Sequence, residues 1–200
     1  IDLELTNLFN NPTIKCSAPI VEVELDKGEK IEPLPDISKR EEKELYELAP
    51  VQYPEWFMQK LNPDGTFYNV AFVVDILGDL NVDYFIESLN YIFNRHDSFK
   101  ISFVDNEGIP MLKHVETIQL EKEEILQVKK PNEDLNELIV AQYNQIVSLA
   151  NTPIGNIKLI QSDDDKYTFI FETHHIVWDQ TSSFLFAKEL GYFYNQLYND

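Results

Sequence analysis

Two hundred residues with 44% apolar content suffice for one compact domain of ordinary size, so a wholly disordered chain is excluded. Sixteen Lys and Arg against 35 Asp and Glu give a net charge of −19, which repels nucleic acid and anionic membrane surfaces. The one cysteine, Cys16, rules out an internal disulfide framework and a Cys-rich zinc site and makes the cytoplasm the default compartment.

No window approaches 18 consecutive apolar residues, and the opening Ile1-Asp2-Leu3-Glu4-Leu5 lacks the basic start of a signal peptide. Beginning without Met, the chain reads as an excised piece of something longer. Residues 1–20 carry Leu3, Leu5, Leu8 and Phe9 and then Asn11-Pro12-Thr13-Ile14, a short helical turn, a break and a second turn near the proline. Residues 21–40, rich in charge with Pro33 and Pro35, read as a linker, so the main domain spans residues 41–200.

Within that domain Tyr46 to Ala49 suggests a short strand. Pro50 to Leu61 suggests an amphipathic helix with Val51, Trp56, Phe57 and Leu61 as its apolar residues. Val70 to Leu77 is a nearly continuous apolar run that predicts a strand covered on both faces. A helix starts at Asn81-Val82-Asp83 with Phe85, Leu89, Ile92 and Phe93 toward the core. Phe99–Val104 and Met111–Val115, around Asp105-Asn106-Glu107-Gly108, read as a hairpin. Residues 132–150 read as a helix, and Ile157–Ile160 and Tyr167–Thr173 as strands joined at residues 162–165. Thr181–Tyr198 reads as a last helix. The alternation predicts an α/β sandwich with a mixed sheet.

The residues that point to chemistry are His174-His175-Ile176-Val177-Trp178-Asp179. The pair follows a strand and precedes a helix, where α/β proteins place reactive groups. A histidine with a pKa of roughly 6.5 can take a proton from an attacking amine, alcohol or thiol. Asp179 could orient that imidazole or anchor the loop through a basic residue. An HxxxD spacing is short and common, and paired histidines at a strand end also serve packing. A zinc site has no third strong ligand in any known spacing, although His96, His114 or a carboxylate could approach by folding. Six glycines form no phosphate-binding loop. No metal or directly bound cofactor is therefore expected.

Three stretches in order resemble the condensation domains of nonribosomal peptide synthetases, within the chloramphenicol-acetyltransferase-like fold. Ala49-Pro50-Val51-Gln52-Tyr53-Pro54-Glu55-Trp56-Phe57 resembles SxAQ followed by an aromatic, with Gln52 and Trp56 in place. Asn94 to Phe103, containing Arg95-His96-Asp97, is similar to RHExLRTxF. His174 to Gln180 resembles HHxxxDG except at its last position. The match spans roughly residues 43–200, the first of two lobes. The front segment Leu8-Phe9-Asn10-Asn11-Pro12-Thr13-Ile14 resembles the end of an acyl-carrier domain, LFxxPTI; an amphipathic start is the plainer alternative.

The resemblance implies that His175 faces a tunnel between lobes, where an amine on an acceptor carrier attacks a thioester on a donor carrier. Both substrates would ride on the carriers' phosphopantetheine arms. His174, Arg95, Lys100, Asp179 and Gln180 then support the motif, with Asp179 paired to Lys100, which stands at the motif's second arginine, or to Arg95. Gln180 replaces the motif's glycine, placing a long side chain near His175. Two alternatives follow: a silent condensation-like module that binds or gates carriers, and an HxxxD acyltransferase using soluble acyl-CoA. The absent second lobe is an expected partner, and the fragment alone is expected to be inactive.

Overall fold

The computed structural model describes residues 3–26, 36 and 41–199. The chain divides into a first unit ending at Glu42 and a second from Lys43 to Asp200. The described residues of the first unit form two helices, α1 (Leu5–Asn10) and α2 (Ile14–Asp26). Asn11 breaks them, and Thr13 starts α2 by accepting the Cys16 and Ser17 amides on its carbonyl at 3.0 and 2.9 Å. The helix therefore runs to Asp26, into the stretch expected to be linker; residues 27–35 and 37–40 of that stretch lie outside the described residues.

In the second unit β1 (Leu45–Glu47) precedes α3 (Gln52–Leu61), β2 (Asn69–Leu77) and α4 (Val82–Arg95). Next come β3 (Ile101–Asn106) and β4 (Ile109–His114), then α5 (Lys122–Ile125), β5 (Leu126–Val128) and α6 (Leu135–Tyr143). The chain closes with β6 (Asn156–Asp163), β7 (Lys166–His174) and α7 (Gln180–Asn199). Two sheets result, β1-β4-β3 and β2-β7-β6-β5. The second is mixed because β5 runs parallel to β6 while the other pairs are antiparallel, which agrees with the expected α/β architecture.

α4 forms where its signals are strongest. Asn81 caps it by accepting the Tyr84 amide at 3.2 Å, and Arg95 sits in the last turn, where the helix dipole favours a cation. Its buried face is the expected one, Phe85, Leu89, Ile92 and Phe93. That face and Phe186 of α7 pack on Phe169 and Phe171 of β7, with Phe93 stacked 4.2 Å from Phe99 and Phe171 edge-on to Trp178 at 5.1 Å. Of the nine residues in β7, all but Lys166 are buried. A second, smaller cluster joins Leu48, Ile101, Phe103, Val147, Leu149, Ile154 and Ile176.

Three expectations change, and the stretch between Val115 and residue 132, for which none was made, gains two short elements. β2 is an edge strand, so Val73 and Val74 remain 45% and 37% exposed instead of being covered on both faces. α6 stops at Tyr143 rather than near 150, because Val147 and Leu149 enter the second cluster and the Leu149 carbonyl accepts the Phe103 amide at 2.7 Å. The acidic stretch after Val115 contains α5 and β5, whose three residues are too few to show a period. Of the apolar residues expected along α3, Trp56 packs against the second cluster as expected, but Phe57, Leu61 and the N-cap Val51 are exposed, and Gln52, Glu55 and Gln59 share the partly buried side with Trp56.

The hairpin turn needs a glycine. Glu107 and Gly108 both have positive φ, 56° and 87°, the twist that suits a two-residue connection, and Asp105 accepts the Gly108 amide at 2.7 Å. Gly155 is needed for another reason, since a Cβ there would run into the Glu172 carbonyl of β7. No helix of the described residues is long and apolar enough to cross a membrane.

Phe93→Ala is expected to destabilise the fold by about 3–5 kcal/mol, whereas Phe184→Ala, on the exposed side of α7, stays within about 0.5 kcal/mol. Urea denaturation of the two variants beside wild type checks the contrast.

Candidate functional site

β7 ends at His174, and the next three residues, His175–Val177, form a 3-10 turn before Trp178 and Asp179 lead into α7. Almost every polar group of this turn is assigned. The His174 imidazole is fully buried and accepts the Ile176 amide on Nδ1 at 3.0 Å, closing the turn from below. With Nδ1 an acceptor, the proton must sit on Nε2, which lies 3.3 Å from Gln59 Oε1 and donates to it. The His175 amide donates to the Tyr68 carbonyl at 2.8 Å, and Gln52 Nε2 donates to the Ile176 carbonyl at 3.2 Å.

Two of the side chains that follow, Ile176 and Trp178, point into different cores. Ile176 is buried in the smaller cluster, and Trp178 in the aromatic one, where its indole N–H also donates to Ser183 Oγ at 2.8 Å. His175 alone turns outward, with 54% of its side chain exposed. The two histidines thus differ by environment. Burial, helped by the nearby His175, pulls the His174 pKa down from 6.5 to about 4, so His174 is a neutral structural group at neutral pH.

Asp179 has a different partner from the one expected. Its Oδ1 accepts both the amide and the hydroxyl of Ser182 at 2.7 Å, which caps the start of α7 and holds the carboxyl below the usual carboxylate range. Lys100 instead pairs with Asp97 at 2.9 Å, and Arg95 pairs with Glu189 at 3.2 Å, beside the 2.6 Å contact of His96 with Glu189. The serine three residues on is the nearer and cheaper partner, because a capping bond needs no long side chain to be ordered. Gln180 is exposed as the first residue of α7.

Sequence reasoning missed Glu55. Its Oε1 lies 3.8 Å from His175 Nδ1. Gln52, Glu55 and Gln59 stand at i, i+3 and i+7 on α3, one face of a helix, and they reach Ile176, His175 and His174 in turn. That polar spacing was the available signal, masked by the apolar residues read as the inner face. Among the described residues no group of three or more His, Cys, Asp or Glu side chains is placed to hold a metal ion. The arrangement provides one accessible imidazole, rigidly mounted and flanked by a carboxylate, suited to moving or holding a proton.

Comparison with known proteins gives the family and the fold. A family model described as Condensation domain matches residues 42–200. Bacitracin synthase 3 of Bacillus licheniformis is 29% identical over 196 residues, 97% of this chain and 3% of that protein. Gramicidin S synthase 2 of Brevibacillus brevis is 25% identical over 196 residues, 98% of this chain and 4% of that protein. Among solved structures, the starter condensation domain of the rhizomide synthetase RzmA aligns with a TM-score of 0.69 at 23% identity, covering 78% of this chain and 38% of that one. The first condensation domain of the CDA synthetase aligns at 0.65 and 19% identity, covering 78% and 41%. The chain therefore spans less than half of those domains and a few per cent of the synthases.

The neutrality of His174 has a pH consequence. The unfolded chain protonates this residue near 6.5 while the folded one resists down to about 4, so its contribution is complete above pH 6.5 and is lost as pH falls through that window. Glu172, raised by burial, acts in the opposite sense above 4.5. In His174→Asn, whose amide oxygen can still accept the Ile176 amide, urea midpoints should fall less between pH 6.5 and 4 than in wild type.

Proposed function

The chain belongs to the Condensation domain family, and from that premise we propose that it is the histidine-bearing first lobe of a condensation domain in a nonribosomal peptide synthetase or related megasynthase. The reaction joins a carrier-bound acyl thioester to an amine, and His175 is the residue that acts on the nucleophile. The carrying observation is the exposed imidazole of His175 on a turn held by the His174 ring from below and by Gln52 at the Ile176 carbonyl.

The amine nitrogen attacks the thioester carbonyl, forming a C–N bond, while His175 holds the amine by a hydrogen bond or accepts its proton. The C–S bond then breaks, the amide remains on the acceptor carrier, and the departing thiolate of the donor's phosphopantetheine arm takes up the proton. His174 is excluded from this role because it is buried and both ring nitrogens are engaged. Asp179 serves as the cap of α7, and Arg95 and Lys100 support α4 and the β3 entry through their own acidic partners.

The carriers that deliver the two thioesters are the partners this reading requires, together with a second lobe to close the far side of the reacting centre. Similarity to the synthases extends over 97% of the chain, beyond residues 42–200, which supports reading residues 1–20 as the tail of a carrier domain.

In the full protein, His175→Ala should lower the rate of product formation from loaded carriers by about 10²-fold or more. Wild-type turnover in that variant would show the assignment to be wrong. Turnover is expected with Gln180 in place; activity that appears only in Gln180→Gly would mark a silent carrier platform, and activity with soluble acyl-CoA alone a free-standing acyltransferase.

A further inference from the structure

We propose that Glu55 is a positioning residue for His175: from α3 its carboxylate takes the Nδ1–H of the imidazole, so that Nε2 is the nitrogen presented to the attacking amine. The inference rests on the preceding reading of His175 and adds to it the group that fixes its tautomer and ring.

Distance and freedom come first. Glu55 Oε1 is 3.8 Å from His175 Nδ1, and the imidazole, with 54% of its side chain exposed, has room to rotate the remaining ångström into a hydrogen bond. Glu55 itself is three-quarters covered, and its Oε2 is buried with no hydrogen-bond donor among the described residues. Hiding a carboxylate oxygen without a donor opposes folding. A side chain kept at such a cost beside an outward-facing imidazole points to a task in the reaction.

The other candidates are occupied. The charged or titratable groups facing His175 are Glu55 from α3, His174 at the end of β7 and Asp179 on the way into α7. His174 is neutral and spends its nitrogens on the Ile176 amide and Gln59. Asp179 is turned to Ser182, whose amide and hydroxyl both donate to its Oδ1. Among the described residues Glu55 is the carboxylate that stands within 4 Å of Nδ1. Because the histidine tautomer is set by whichever nitrogen finds an acceptor, a carboxylate at Nδ1 leaves the Nε2 lone pair free.

The test uses the full protein with Glu55→Gln, which keeps shape and volume and removes the charge, and Glu55→Asp, which keeps the charge. Glu55→Gln should lower kcat roughly tenfold with KM for either carrier nearly unchanged, and Glu55→Asp should recover part of that loss. A second readout is independent of condensation. Carbethoxylation of His175 by diethyl pyrocarbonate at pH 8, followed by peptide mass spectrometry with His114 as internal reference, should slow severalfold in Glu55→Gln. An unchanged His175 modification rate overturns the proposal, as does an unchanged kcat in a protein that His175→Ala inactivates. If the wild type makes no amide at all, the condensation reading falls, and the modification rate still decides whether Glu55 orients His175.

Discussion

A strand buried along nearly its whole length must leave the sheet with its hydrogen bonds already assigned, because no water reaches the point of departure. β7 meets this constraint with its own last side chain. The His174 imidazole is buried where β7 ends and accepts the amide two residues on, so the residue that finishes the strand also begins the turn. The neighbouring carboxylate Glu172 is satisfied in the same way, by Asn69 and Asn156 from the flanking strands at 2.9 and 3.2 Å. Gly155 lets the β6 side approach the backbone closely enough for this arrangement to close.

What could be read from the sequence follows how local each signal is. The α4 core face emerged intact because helical period, cap and dipole all agree over fourteen residues. The histidine pair was visible as a motif at a strand end, and its two roles then separated only through burial, which no local pattern encodes. Asp179 illustrates the opposite failure: the resemblance directed it to a distant cation, whereas a serine three residues away satisfied it. Glu55 was overlooked because Val51, Phe57 and Leu61 suggested an apolar inner face, and the fold instead turned Gln52, Glu55 and Gln59 toward the turn.

The segment after α6 shows the same limit in the core. Val147 and Leu149 continue a helical period on paper, yet the bond from Phe103 to the Leu149 carbonyl draws them alongside β3. A tertiary contact of this kind overrides helix propensity at modest cost, since each residue's preference is worth only a fraction of a kcal/mol. The same holds for β5, whose three residues become a strand only because β6 lies beside them in parallel.

Ile176 and Trp178, two positions apart, are seated in separate hydrophobic clusters. In mechanical terms the turn is a short beam clamped at both ends. It cannot slide toward one cluster without opening a void in the other, and close-packed interiors resist such displacement. What is left to set at His175 is the rotation of its ring, which Glu55 governs, rather than travel of its backbone. The imidazole is thus a fixed landmark, and any molecule that reacts there has to bring its own atoms into register with it.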